Sequence, residues 1–149
     1  WNNYPVKASI PVAGNASHAY LLMAGSTNYA QSHFINGKII AIYSDGSKDS
    51  LLLINPTNWY PIEQDYYTDG FAFTTGASKP YRLLLKSGKF TRTFSKYSSI
   101  KGFSNYAIDG GAATVLDMPL DINKSLKSIN LITTANEVVI GLMAITLVR

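Results

Sequence analysis

The segment from Lys38 to Ile54 constrains this chain most. Two apolar runs, Ile39-Ile40-Ala41-Ile42-Tyr43 and Leu51-Leu52-Leu53-Ile54, flank Ser44-Asp45-Gly46-Ser47. Asp-Gly between apolar runs signals a β-hairpin, because glycine accepts the positive φ that a primed turn demands. The rest of the chain repeats this grammar. Short apolar runs recur at short intervals with Gly, Pro and Asn between them, and no segment carries a long 3.6-residue period. The pattern predicts an all-β fold, an antiparallel two-sheet β-sandwich of jelly-roll type. At 149 residues the chain is read as a single domain, residues 1–149, long enough to bury a core.

Strand by strand, Val6–Ile10 opens the fold and Ala13-Gly14-Asn15 turns it. Ala16–Ala24 is apolar on both faces, which marks a central strand. Gly25–Gly37 reads as a loop. After the hairpin come Phe71–Thr74, Tyr81–Lys86, Phe90–Tyr97, Ala112–Met118 and Leu126–Thr133, the last with Ile129 and Leu131 on one face. Val138–Val148 is again apolar on both sides and is placed centrally, with Gly141 as a bulge or close contact.

Charge is uneven. Net charge is +4, yet Phe71–Ile108 contains no acid and holds Lys79, Arg82, Lys86, Lys89, Arg92, Lys96 and Lys101. Such asymmetry suits an anionic partner. The simpler reading is a lysine-protected edge strand. There is no cysteine, hence no disulfide and no thiolate metal site. No apolar run is long enough for a helical membrane span. The chain begins Trp1-Asn2-Asn3, and is expected to be excised from, or C-terminal in, a larger protein.

Catalytic chemistry finds few candidates. The histidines are His18 and His33, and no nucleophile elbow is present. Asp45 and Asp49 flank the hairpin turn and offer oxygens to calcium, but turn chemistry explains them more simply. No cofactor is expected, and a structural calcium ion has no further support. Glu63, Asp65 and Asp69 lie close in sequence, the minimum for glycoside hydrolysis, yet loop acids are ordinarily solvated or paired. The chain is therefore read as not an enzyme. The candidate ligand site is the loop Asn55–Gly70. There Trp59 and Tyr60 serve as stacking platforms, Asp65 as a hydroxyl acceptor, and Glu63, Tyr66 and Tyr67 complete the set. The alternative is that Trp59 packs under the loop as core. Phe90, Arg92, Phe94 and Lys96 interleave rings and cations, which keeps an acidic polymer or single-stranded nucleic acid as a lesser alternative.

The order of the motifs adds a resemblance. Ile42-Tyr43-Ser44-Asp45-Gly46-Ser47 is followed by the Trp59 loop, then Asp121-Ile122-Asn123-Lys124-Ser125-Leu126-Lys127-Ser128-Ile129, then Ile140-Gly141-Leu142-Met143-Ala144-Ile145-Thr146-Leu147. Spanning roughly Ala8 to Arg149, this resembles the galactose-binding-like β-sandwich module appended to large bacterial glycoside hydrolases and related polysaccharide-utilisation proteins. The resemblance implies a jelly roll and a non-catalytic accessory role, either glycan-binding or bracing a neighbouring catalytic domain. It also implies a secreted or periplasmic protein. No ligand residue carries over from it.

Overall fold

The computed structural model describes residues 4–27, 32–63, 76–93 and 108–149. Every regular element among them is a strand: β1 (Lys7–Asn15), β2 (His18–Ser26), β3 (Ile35–Tyr43), β4 (Lys48–Ile54), β5 (Arg82–Leu84), β6 (Phe90–Thr91), β7 (Ala112–Pro119), β8 (Ser125–Thr133) and β9 (Val139–Val148). They form two antiparallel sheets, a four-stranded one ordered β1-β8-β3-β4 and a five-stranded one ordered β6-β5-β7-β2-β9. The fold is an all-β sandwich.

The period of two along each strand builds the interior. Ala19, Leu21 and Met23 of β2 and Leu116 and Met118 of β7 point inward from one sheet. Ile39, Ala41 and Tyr43 of β3, Leu53 of β4, and Leu126, Ile129 and Leu131 of β8 point inward from the other. All are buried in one cluster, which is where burial of apolar area stabilises the fold.

The β3–β4 hairpin forms as its turn residues predict. Gly46 has φ +86, Gly46 N–H donates to Tyr43 O at 3.0 Å, and Tyr43 N–H donates to Ser47 O at 3.0 Å. Asp45 Oδ1 accepts from the Ser47 amide at 2.8 Å and from its hydroxyl at 2.6 Å. Those bonds, helped by Lys124, lower the Asp45 pKa. Asp49 accepts from the Tyr43 hydroxyl, which in turn accepts from Asp121 N–H at 2.8 Å. Both turn carboxylates thus have protein donors.

β2 is central, as its two-sided hydrophobicity predicts. β9 is not, and this corrects the sequence reading: it is the outer strand of the five-stranded sheet among the described residues. Its second apolar side is instead partly open, with Met143 53% exposed. Gly141 is a close contact, since a Cβ there would stand 2.9 Å from Ala24 O. The bulge lies beside it, where the register shifts between Leu22 and Met23, which pair with Ala144 and Leu142.

β1 also runs further than expected, through Pro11 and Gly14 to Asn15. Pro11 is tolerated because β1 is an edge strand. Gly14, at φ +80, follows a register shift against β8 rather than a strand end. Of the expected Phe90–Tyr97 strand, residues 90–93 are described, and β6 takes in only Phe90–Thr91. Phe71–Thr74, Phe94 and Lys96 lie outside the described residues.

Candidate functional site

The loop singled out from sequence is folded inward where it is described. Trp59 is 0% exposed and belongs to the main core. Its ring packs where a Cβ on Gly25 would come within 2.7 Å of Trp59 Cη2. Tyr60 is buried in a smaller cluster with Leu84, Ile108 and Ala112. Neither ring offers a face to a sugar, so the stacking role expected of them is corrected to a packing role. Glu63 is exposed, and its carbonyl accepts from Ile108 N–H at 2.7 Å. Asp65, Tyr66 and Tyr67 lie outside the described residues.

The inward course has a local cause and a distant one. Locally, Asn58 accepts from Ile54 N–H at 2.9 Å and donates to Leu52 O at 2.8 Å, which folds the chain back on the end of β4. At a distance, Ile62 N–H donates to Gly25 O at 2.8 Å and Ala112 N–H to Ile62 O at 2.7 Å. Arg82 is the clamp. Its guanidinium is fully buried and donates through Nη2 to Pro61 O at 2.8 Å, to Ala112 O at 2.7 Å and to Ile62 O at 3.3 Å. Its Cζ lies 5.9 Å from the Tyr60 ring centroid. A buried cation needs such partners. Of the basic segment, Arg82 is therefore interior, not surface charge.

Exposed aromatic rings appear elsewhere, on the outer face of the five-stranded sheet. Directly paired residues of antiparallel strands share a face. Phe90 pairs with Leu83, and Leu83 with Ala113. Val115 and Asp117 follow Ala113 on the same side of β7. Leu22 pairs with Val115 and Ala144, and Tyr20 with Asp117 and Thr146. Tyr81, two residues before Leu83, joins this face and accepts at its carbonyl from Val115 N–H at 2.8 Å.

Tyr20, Tyr81 and Phe90 are 42%, 51% and 57% exposed, which is ample for a ring to meet a ligand. They stand on an oblique line across the sheet. With neighbouring strands about 4.8 Å apart and about 3.3 Å of rise per residue, the line from Phe90 to Tyr20 spans about 20 Å.

Polar groups support the row. The Arg92 guanidinium lies 4.1 Å from the Tyr81 ring centroid. His18 stacks on Tyr20 with ring centroids 6.1 Å apart and 12° between planes. The His18 Nδ1 is 2.7 Å from Asp117 Oδ1, so Asp117 holds His18 and His18 supports Tyr20. Chemically the face can stack flat apolar surfaces and hydrogen-bond their polar edges. No described hydroxyl nucleophile bonds the His18 ring, and no group of three or more metal-ligating side chains occurs among the described residues. A separate groove of about 330 Å³ opens between β1 and β9, lined by Ile10, Val12, Leu142, Met143, Ala144, Ile145 and Leu147. It offers no polar side chain to orient a small ligand.

Sequence reasoning did not select Tyr20 and Tyr81. A signal for Tyr20 exists: it alternates out of phase with Ala19, Leu21 and Met23. The row itself depends on pairings among β2, β5, β6 and β7, which no local pattern states. Comparison of the chain with protein-family models, curated proteins and solved structures finds no match.

Proposed function

We propose that this chain is a non-catalytic accessory module of a polysaccharide-degrading protein and binds glycan on the outer face of its five-stranded sheet. One observation carries the reading: Tyr20, Tyr81 and Phe90 stand exposed in one row on a rigid scaffold. Rings held by a sheet stack on pyranose faces with little loss of side-chain freedom. The row is too long for one sugar residue and suits a polymer. The motif resemblance supports the accessory role, and with it a jelly-roll, galactose-binding-like fold, a secreted or periplasmic setting and a catalytic domain in the same protein. The non-catalytic part of the reading is supported by five of the described carboxylates. Asp45, Asp49, Asp109, Asp117 and Asp121 each bond a neighbouring protein donor, as structural acids do.

The test is affinity electrophoresis through a panel of soluble polysaccharides. Wild type should be retarded by at least one. Tyr20→Ala, Tyr81→Ala and Phe90→Ala should each weaken retardation by about tenfold, the lower end of a ring-stacking contribution, without changing the melting temperature by more than a few degrees. Binding by the triple variant equal to wild type refutes the site.

The β1–β9 groove favours a second reading, a brace against an adjacent domain. Its half-buried Ile10, Val12, Ile145 and Leu147 are side chains that a neighbouring domain would cover. Faster amide exchange in β9 when the module is separated from the rest of its parent protein supports bracing. Unchanged exchange counts against it.

A further inference from the structure

We infer that the glycan selected by this face is anionic, and that Arg92 reads the charge. The inference rests on the glycan-binding reading above and names its ligand class.

Arg92 is exposed and makes no ion pair among the described residues. Asp117, an acid on the same face, is engaged by His18 at 2.7 Å. The described segment Gly76–Thr93 carries Lys79, Arg82, Lys86, Lys89 and Arg92 and no acid. Lys86 is met by Asp109 at 2.5 Å, and Arg82 is interior. At the β5–β6 end of the row Arg92 thus has no carboxylate among the described residues to turn to. A carboxylate or sulfate supplied from outside complements it.

The geometry suits that partner. The guanidinium lies over the Tyr81 ring, and its planar set of N–H donors suits a two-point contact with an anion. The stack also restrains a long side chain before binding, so less ordering is lost when an anion arrives. Arg92 lies two residues beyond Phe90, just past the end of β6, and beside Tyr81. A sugar stacked on the row therefore brings its ring substituents within reach of the guanidinium.

The experiment measures affinity for two matched pairs at low salt: polygalacturonate against its fully methyl-esterified form, and dextran sulfate against dextran. Each pair keeps the backbone and removes the charge. Wild type is expected to prefer a charged member by about tenfold or more, the yield of one charge-assisted contact, with the preference shrinking as salt rises. A preference confined to polygalacturonate identifies a uronate ligand, and one confined to dextran sulfate a sulfated ligand. Arg92→Gln should bring the ratio close to one. Arg92→Lys, which keeps charge and loses the fork, should fall between.

Equal binding to both members of each pair, or a ratio that survives Arg92→Gln, overturns the inference while leaving glycan binding in place. Binding to neutral glycans of the panel alone does the same. No binding to any glycan defeats the underlying reading as well. Tighter binding to single-stranded oligothymidine than to either charged glycan overturns the inference in favour of nucleic acid.

Discussion

Replacing Trp59 with alanine separates a core residue from a binding residue. The side chain is 0% exposed and sits in the cluster shared by both sheets. Its indole N–H has no hydrogen-bond partner among the described atoms, so the substitution forfeits no hydrogen bond. The loss is transfer free energy plus the cavity left behind, about 3–5 kcal/mol for a large aromatic. A domain of this size shifts by about 2–4 °C per kcal/mol, so the melting temperature should fall by roughly 6–20 °C. Set against a typical total of about 5–15 kcal/mol, the variant stays folded at low temperature but with a thin margin. Trp59→Phe keeps an aromatic ring and removes the unpartnered N–H, so it should cost less than the alanine. The assay is urea unfolding followed by far-UV circular dichroism, with affinity electrophoresis of each variant under folding conditions. Glycan affinity should be retained by both. A cost below about 1 kcal/mol together with lost glycan binding would refute the reasoning and restore Trp59 as a platform.

Three further outcomes concern Tyr43, Arg82 and Gly141. Tyr43, buried and bonded to Asp49, has its pKa pushed up to about 12 from 10.0. The folded state therefore favours the neutral phenol, so this stabilisation is complete below about pH 10 and is lost as pH rises through the folded value. It amounts to roughly 2–3 kcal/mol at 1.36 kcal/mol per unit. The stability gap between wild type and Tyr43→Phe, measured by urea unfolding, should be constant from pH 7 to 9 and shrink above pH 10. Arg82→Met should destabilise by at least about 2 kcal/mol, since a charge-assisted hydrogen bond contributes about 1.5–3 kcal/mol, and limited proteolysis should show cleavage near Pro61 first. Gly141→Val should cost about 1–3 kcal/mol by overpacking, because even a Cβ meets Ala24 O at 2.9 Å; a thermal melt reads it.

What was legible in the sequence was whatever short-range chemistry decides. Asp45-Gly46 announced the hairpin because the turn's positive φ is a local demand. The central place of β2 was readable from its two apolar faces, and Ile129 and Leu131 do share the buried side of β8. The same apolar signal misplaced β9, because a strand beside an open groove looks as hydrophobic as one between two neighbours. The Trp59 loop was misread for a related reason. Two prolines and a cluster of rings say that the chain bends, but whether it bends outward is decided by Arg82, twenty-one residues beyond Pro61. The platform was hidden for the opposite reason. Tyr20 sits in β2, Phe90 in β6 and Tyr81 just before β5, and only the registers of β2, β5, β6 and β7 bring them onto one face.

Chemical-shift mapping locates the ligand-binding face. The ¹⁵N-labelled protein is titrated separately with tetragalacturonic acid and with cellohexaose. Shifts are expected to centre on Tyr20, Leu22, Tyr81, Phe90, Arg92 and Val115 for at least one ligand, with the amides of Asn55–Glu63 little changed. Shifts centred on Asn55–Glu63, or on the β1–β9 groove, would contradict this placement.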